Sequence, residues 1–320
     1  MPAILTHYTF ARRIYNEEFK YSSLVYLGAQ GPDVFFFCGY LKKRDHSKDI
    51  RHFGHHLHNI DIADVYNHMF EYISKQDNDE DKEKLYAYLK GMMYHYSLDR
   101  NAHPFIFYRT GAVEKVDSLN PGYYMRAHVL YESNLDTLVA NHYNTPKRNK
   151  DAVKANLEDV KLISRMYKYV NEQMFNYEFI NEETFLLSYK DMITLQKLFY
   201  SRFGFKRMLY YPLRKKVQLW VQTNPRKPFH DDEIDYLNLK KNSWKLPDTG
   251  EEREDSFFDI LERAKEDSLK VDELIELGKT KNINEELHEF TNKINHDGSI
   301  VGKPKEYFEF CYDLVKKVPF

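Results

Sequence analysis

His95, Asp99 and His103 recur every four residues within LYAYLKGMMYHYSLDRNAHP, residues 85–104. Imidazoles and carboxylates in such a series are side chains that bind metal ions or move protons. Tyr88 and Met92 continue the series toward the N-terminus. Steps of three or four residues place all five on one face of a helix. Burying the polar end of that stripe without partners would cost on the order of several kcal/mol. A rise of about 1.5 Å per residue separates His95 from His103 by roughly 12 Å along the axis. They are too far apart to share one ion easily. His95 and Asp99 can share one, Asp99 stands midway, and His103 needs another. The helix therefore points to more than one metal. Pro104 is expected to stop it.

Four other stretches carry suitable donors. Residues 3–20 read as a short amphipathic helix with His7 in its first turns. Removal of the initiator methionine would leave Pro2 first, with a free amine one to two turns from His7. The turn Gly28–Pro32 precedes Asp33 and is a bend able to aim it inward. Residues 42–59 read as a polar loop holding His46, His52, His55, His56 and His58. Of these we expect His58, at the opening of a helical run 59–75, to be the ligand, with His55 in reserve. On a helix within 122–142, His128 and Glu132 lie one turn apart, a spacing common in two-ligand metal clips. They could complete the site that His103 begins.

The elements that must position these donors are helical. With 12 Gly and 11 Pro in 320 residues, a turn-rich all-β fold is disfavoured, and 26 Tyr with 22 Phe can fill a large core. The fold class expected is all-α. Residues 76–84 read as an acidic linker that caps the central helix and 109–122 as a loop; two helices are expected within 151–204. Two more are expected at 253–279 and 283–295, and a last one at about 305–317. Residues 1–145 are expected to form the metal-binding catalytic region. Residues 146–320 are expected to form a helical C-terminal region packed on it as one domain. The stretch 205–230 has seven Lys/Arg and no acid, and reads as a solvated basic arm or hairpin. Glu285-x-x-His288 and His296-Asp297 read as surface features.

A net charge of −2 gives no global pull toward nucleic acid or anionic membrane. Cys38 and Cys311 are far apart in sequence, which fits a reducing compartment. The first residues lack the apolar core of a signal peptide, and the longest apolar run, 34–38, is too short to span a bilayer. A cytoplasmic protein is expected. Eleven of the 14 histidines fall at or before His142, so the chemistry concentrates in the first half.

In chain order the candidates are His7, Asp33, His58, His95-x-x-x-Asp99-x-x-x-His103 and His128-x-x-x-Glu132. This series, with MPAILTHYTFA, YLGAQGPDVFFF, FGHHLHN and YLKGMMYHYSLDRNAHPF, resembles the zinc-dependent phospholipase C family, in its cytoplasmic bacterial branch. The fold is shared with the S1/P1-type nucleases. The resemblance covers residues 1–142 and implies two to three Zn2+ ions in a helical cleft. Asp33, His58 and His95 would hold the first. The α-amino group and His7 would hold the second, with Asp99 bridging the pair, and His103, His128 and Glu132 would hold the third. Secreted members present a tryptophan at the processed N-terminus, where this chain has Met-Pro.

That resemblance implies hydrolysis of a phosphodiester by a metal-bridging hydroxide, with Asp33 and Asp99 as the catalytic carboxylates. The substrate expected is a phosphate ester such as a phospholipid, reached through transient membrane contact. An S1/P1-like nuclease or a phosphomonoesterase would use the same metals, and nucleic acid is the less favoured substrate. A non-catalytic metal-binding protein is the third reading.

Overall fold

The computed structural model describes residues 4–15, 19–111, 123–145, 149–199 and 234–309. The basic stretch 205–230 and the amine of Pro2 lie outside them. The described chain is helical apart from one two-stranded antiparallel sheet, Trp244–Lys245 with Glu252–Arg253, consistent with the expected all-α class. Among the described residues, no helix is long and apolar enough to cross a membrane.

The N-terminal half comprises α1 (Ile4–Ile14), α2 (Ser22–Gly28), a 3-10 helix (Gly31–Phe37), α3 (Ser47–Asn59), α4 (Ala63–Ser74), α5 (Asp79–Thr110) and α6 (Tyr123–His142). There follow α7 (Asn149–Ala152), α8 (Leu157–Met174), α9 (Thr184–Phe199), α10 (Phe257–Gly278) and α11 (Asn284–Thr291). Helix α5 is the axis. Its start is set by Asn78, whose side chain accepts from the amides of Glu80 and Asp81. Asp79, Glu80 and Asp81 then complement the helix dipole. The acidic segment is thus the first turn of the helix itself, and not only a linker to it.

Helix α5 does not stop at Pro104. It runs six residues further, because Phe105, Ile106 and Phe107 are buried beyond the proline. Phe105 packs on Tyr131, Trp244 and Phe257. This packing outweighs the roughly 3 kcal/mol that an interior proline costs. Gly298, at φ +70°, lies over the interruption; a Cβ there would stand 2.2 Å from the Arg100 carbonyl oxygen and 2.5 Å from the Pro104 ring.

The polar stretch 42–59 is also largely helical. Ile50, Phe53 and Leu57 of α3 are buried at helical spacing, a weak apolar stripe that the surrounding histidines hide. His58 therefore ends α3 and does not open α4. At the other end of the chain, residues 303–309 carry no helix, contrary to the expected helix at 305–317, whose remainder lies outside the described residues.

Two features hold α5 in place. Against α2 the backbones nearly touch: a Cβ on Gly91 would meet the Val25 carbonyl oxygen at 2.0 Å, and one on Gly28 the Tyr88 carbonyl oxygen at 2.1 Å. Only glycine permits that approach. On another face, side chains bind α5 to the C-terminal half. Tyr94 donates to Asp272, Arg100 donates to Asp267 and to the Phe290 carbonyl, and Asn101 donates to Asp267. Tyr96 donates to the carbonyls of Thr291 and Ile294.

Candidate metal centre

The eight predicted donors are delivered by five pieces of local structure. His7 comes from α1, whose first turn is pinned by Asp136 of α6. The Asp136 carboxylate accepts from the Leu5 amide at 3.2 Å, the Thr6 amide at 2.6 Å and the Thr6 hydroxyl at 2.9 Å. Burial outweighs these bonds and raises the Asp136 carboxyl to about 6. Asp33 lies in the first turn of the 3-10 helix, directly after Pro32. His58 is buried in the last turn of α3. His95, Asp99 and His103 face one way from α5, and His128 and Glu132 come from α6.

The structure brings all eight together as three groups whose donor atoms lie within 4.8 Å of one another: His7, His95 and Asp99; Asp33, His58 and His95; His103, His128 and Glu132. Asp99 is the centre. Its Oδ1 is 3.2 Å from His7 Nε2 and its Oδ2 is 2.9 Å from His95 Nε2. The same Oδ2 is 3.9 Å from His58 Nε2 and 3.8 Å from His103 Nδ1. Asp33 Oδ1 is 3.0 Å from His58 Nε2, and Glu132 Oε1 is 3.1 Å from His128 Nε2 and 3.6 Å from His103 Nε2.

The backs of the rings are fixed. His58 Nδ1 donates to the Gly54 carbonyl at 2.7 Å, His95 Nδ1 to that of Ala29 at 3.2 Å, and His103 Nδ1 to that of His296 at 2.9 Å. Thr110 gives its hydroxyl proton to the Ile106 carbonyl, so it can only accept from His128 Nδ1, 3.3 Å away. In these four rings the Nε2 lone pair is left facing the cluster, as a metal ligand requires.

The electrostatics have the same form. Burial opposes charge on His103, but Asp99 and Glu132 outweigh it and raise the ring to about 10. Burial likewise opposes charge on His7, where Asp99 prevails, and on His58, where Asp33 and Asp99 prevail, and both rings are raised. His95 goes the other way: it is fully buried, with His7 alongside, and is held neutral. Asp99 is held well below the usual carboxylate range, despite burial, by His95, His103 and His7.

The donors fit zinc. Five imidazoles and three carboxylates form the nitrogen and oxygen set that this ion accepts. His95 Nε2 and Asp99 Oδ2 are buried and face each other, and neither has a hydrogen bond. A common cation would satisfy both. A family model described as zinc dependent phospholipase C matches residues 6–180, more than half of the sequence.

The chain belongs to the zinc-dependent phospholipase C family.

All eight donors lie inside the matched segment. No curated protein and no solved structure matches the chain. In this family member the 42–59 histidines are placed unequally. His58 is in the cluster, whereas His55 is exposed one turn earlier with its ring on Phe36, and His46, His52 and His56 are exposed. His288 pairs with Asp61 and Asp64 and is part-exposed, a surface feature as expected.

Two residues escaped the sequence reading. Asp136 continues the series His128, Glu132 by one more turn, and that spacing could have identified it. His296 is buried against the cluster, not on the surface as expected from its Gly-bearing loop. Its ring centroid lies 4.9 Å from that of His58 and 5.4 Å from that of His95. No local pattern distinguishes it.

Gly31 makes room for His95. Its φ is +50°, and a Cβ would fall 2.2 Å from His95 Cδ2. Gly31→Ala should cost about 1–2 kcal/mol in backbone strain alone. It should also displace His95 and lower bound zinc, read by elemental analysis of the purified protein. Unchanged zinc content would contradict this packing.

Proposed function

We propose that the protein is a zinc-dependent hydrolase of phosphodiester bonds, of phospholipase C type. Asp33, His58 and His95 would hold one zinc, His7 and Asp99 a second, and His103, His128 and Glu132 a third. Asp99 lies between the groups and would bridge the first two. The observation that carries this reading is the convergence of three donor groups around one buried carboxylate. Bound zinc supplies Lewis acidity toward phosphate oxygens and lowers the pKa of water toward neutrality.

The chain's own residues supply the rest. Six of the eight donors, all but His103 and His128, are buried, which strengthens the charge interactions among them. The four fixed imidazoles hold their ligand nitrogens without reorganisation. Asp33, buried with its Oδ1 3.0 Å from His58 Nε2, would take a proton from the attacking water at its carboxylate. No serine or cysteine nucleophile is required.

Hydrolysis of bis(p-nitrophenyl) phosphate should be abolished by EDTA and restored by zinc. Phosphatidylcholine vesicles should be cleaved in preference to single-stranded DNA. Zinc-loaded protein that leaves all three substrates intact would refute the reading, and preference for DNA would favour a nuclease.

A further inference from the structure

His296 lies outside the matched segment 6–180, on the loop that follows α11. Both ends of that loop are anchored independently of the ring. Its amide donates to the His58 carbonyl at 3.2 Å, and its carbonyl accepts from His103 Nδ1 at 2.9 Å. Tyr96 donates to the Ile294 carbonyl at 2.9 Å, and Lys305 pairs with Asp297 at 2.6 Å. The backbone therefore presents the imidazole to the cluster.

The ring is 0 % exposed, and both Nδ1 and Nε2 are buried with no hydrogen-bond partner among the described residues. Buried polar groups are nearly always partnered, and one whose site is purely structural would serve better as an apolar ring. The three donor groups do not include His296, so it stands outside the ligand sets while touching their rings. A neutral imidazole has one N–H to give. The ligand clusters are already rich in acceptors, and the species to be bound there brings anionic oxygens.

We infer that His296 is a catalytic residue that donates an imidazole N–H hydrogen bond to a substrate phosphate oxygen held beside His58 and His95. This rests on the phosphodiesterase reading above. In consequence the C-terminal half of the chain completes the substrate site.

The test uses the full-length zinc-loaded protein with inorganic phosphate as the probe, titrated calorimetrically. His296→Phe and His296→Leu should keep their zinc content but bind phosphate roughly tenfold more weakly or worse, the loss expected of a hydrogen bond to a charged group. The smaller leucine serves if the phenyl ring does not fit. His296→Gln, which retains an N–H donor, should recover part of the affinity. Unchanged phosphate affinity in both apolar variants would overturn the inference. A fall in bound zinc would also overturn it, by making the ring a ligand. Failure of the wild-type chain to take up zinc would instead refute the metal centre beneath it, which the same zinc analysis separates from a defect in phosphate binding alone.

Discussion

Asp99→Asn is expected to lower kcat/KM for a phosphodiester by about a thousand-fold, equivalent to roughly 4 kcal/mol of transition-state stabilisation. No other carboxylate among the described residues has its two oxygens against two different imidazoles, Oδ1 at 3.2 Å from His7 Nε2 and Oδ2 at 2.9 Å from His95 Nε2. An amide keeps the shape but removes the negative charge, and it turns one oxygen into a hydrogen-bond donor aimed at an imidazole nitrogen. A bridge between two proposed zinc positions would be lost. Zinc content should fall with activity, as read by elemental analysis and steady-state kinetics. Asp64→Asn, at an exposed carboxylate paired with the part-exposed His288, should change neither. Full activity in the Asp99 variant would mean that the carboxylate does not bridge anything.

Removal of metal should be the largest single perturbation of stability. A ligand present at about a thousand times its dissociation constant adds roughly 4 kcal/mol per site, so chelation should lower the melting temperature by about 10 °C or more. The two forms should also respond to pH with opposite sign. In the stripped protein His103 is raised to about 10, above the value near 6.5 of an unfolded histidine. Its pairing with Asp99 and Glu132 therefore contributes fully below about pH 6.5 and is lost as pH rises toward 10. Zinc, by contrast, must displace that proton, so its affinity should rise over the same range, with protons released on uptake near neutral pH. Calorimetric titration in buffers of different ionisation enthalpy measures the release. Zinc uptake without it would show that His103 is not a ligand.

The all-α class and the candidate donors are legible in the sequence; several helix boundaries are not. The four-residue rhythm of His95, Asp99 and His103 exposes a helix face directly, and one turn separates His128 from Glu132, so both clips could be read locally. Family resemblance then joined them to His7, Asp33 and His58, and the fold gathers all eight. What failed depended on tertiary packing. Pro104 looks like a stop because its missing amide is a local fact, whereas the burial of Phe105, Ile106 and Phe107 that carries the helix past it is not. The 42–59 stretch looks like a loop because its charges and imidazoles conceal the three buried positions Ile50, Phe53 and Leu57. His296, read with Asp297 as a surface feature, is instead fully buried. Its contact with His103 spans 193 residues, and nothing in its immediate neighbours announces it.

The anchoring of α5 to the C-terminal half bears on how the protein is made. Asp136 grips the first turn of α1 across 131 residues, and the His296 carbonyl orients His103 across 193. On the ribosome, the stretch bearing His95, Asp99 and His103 leaves the exit tunnel long before the backbone that steadies its last imidazole. Long-range closures of this kind are slow. The donors of residues 7–132 thus precede, by more than 160 residues of synthesis, the backbone carbonyl that fixes the His103 ring.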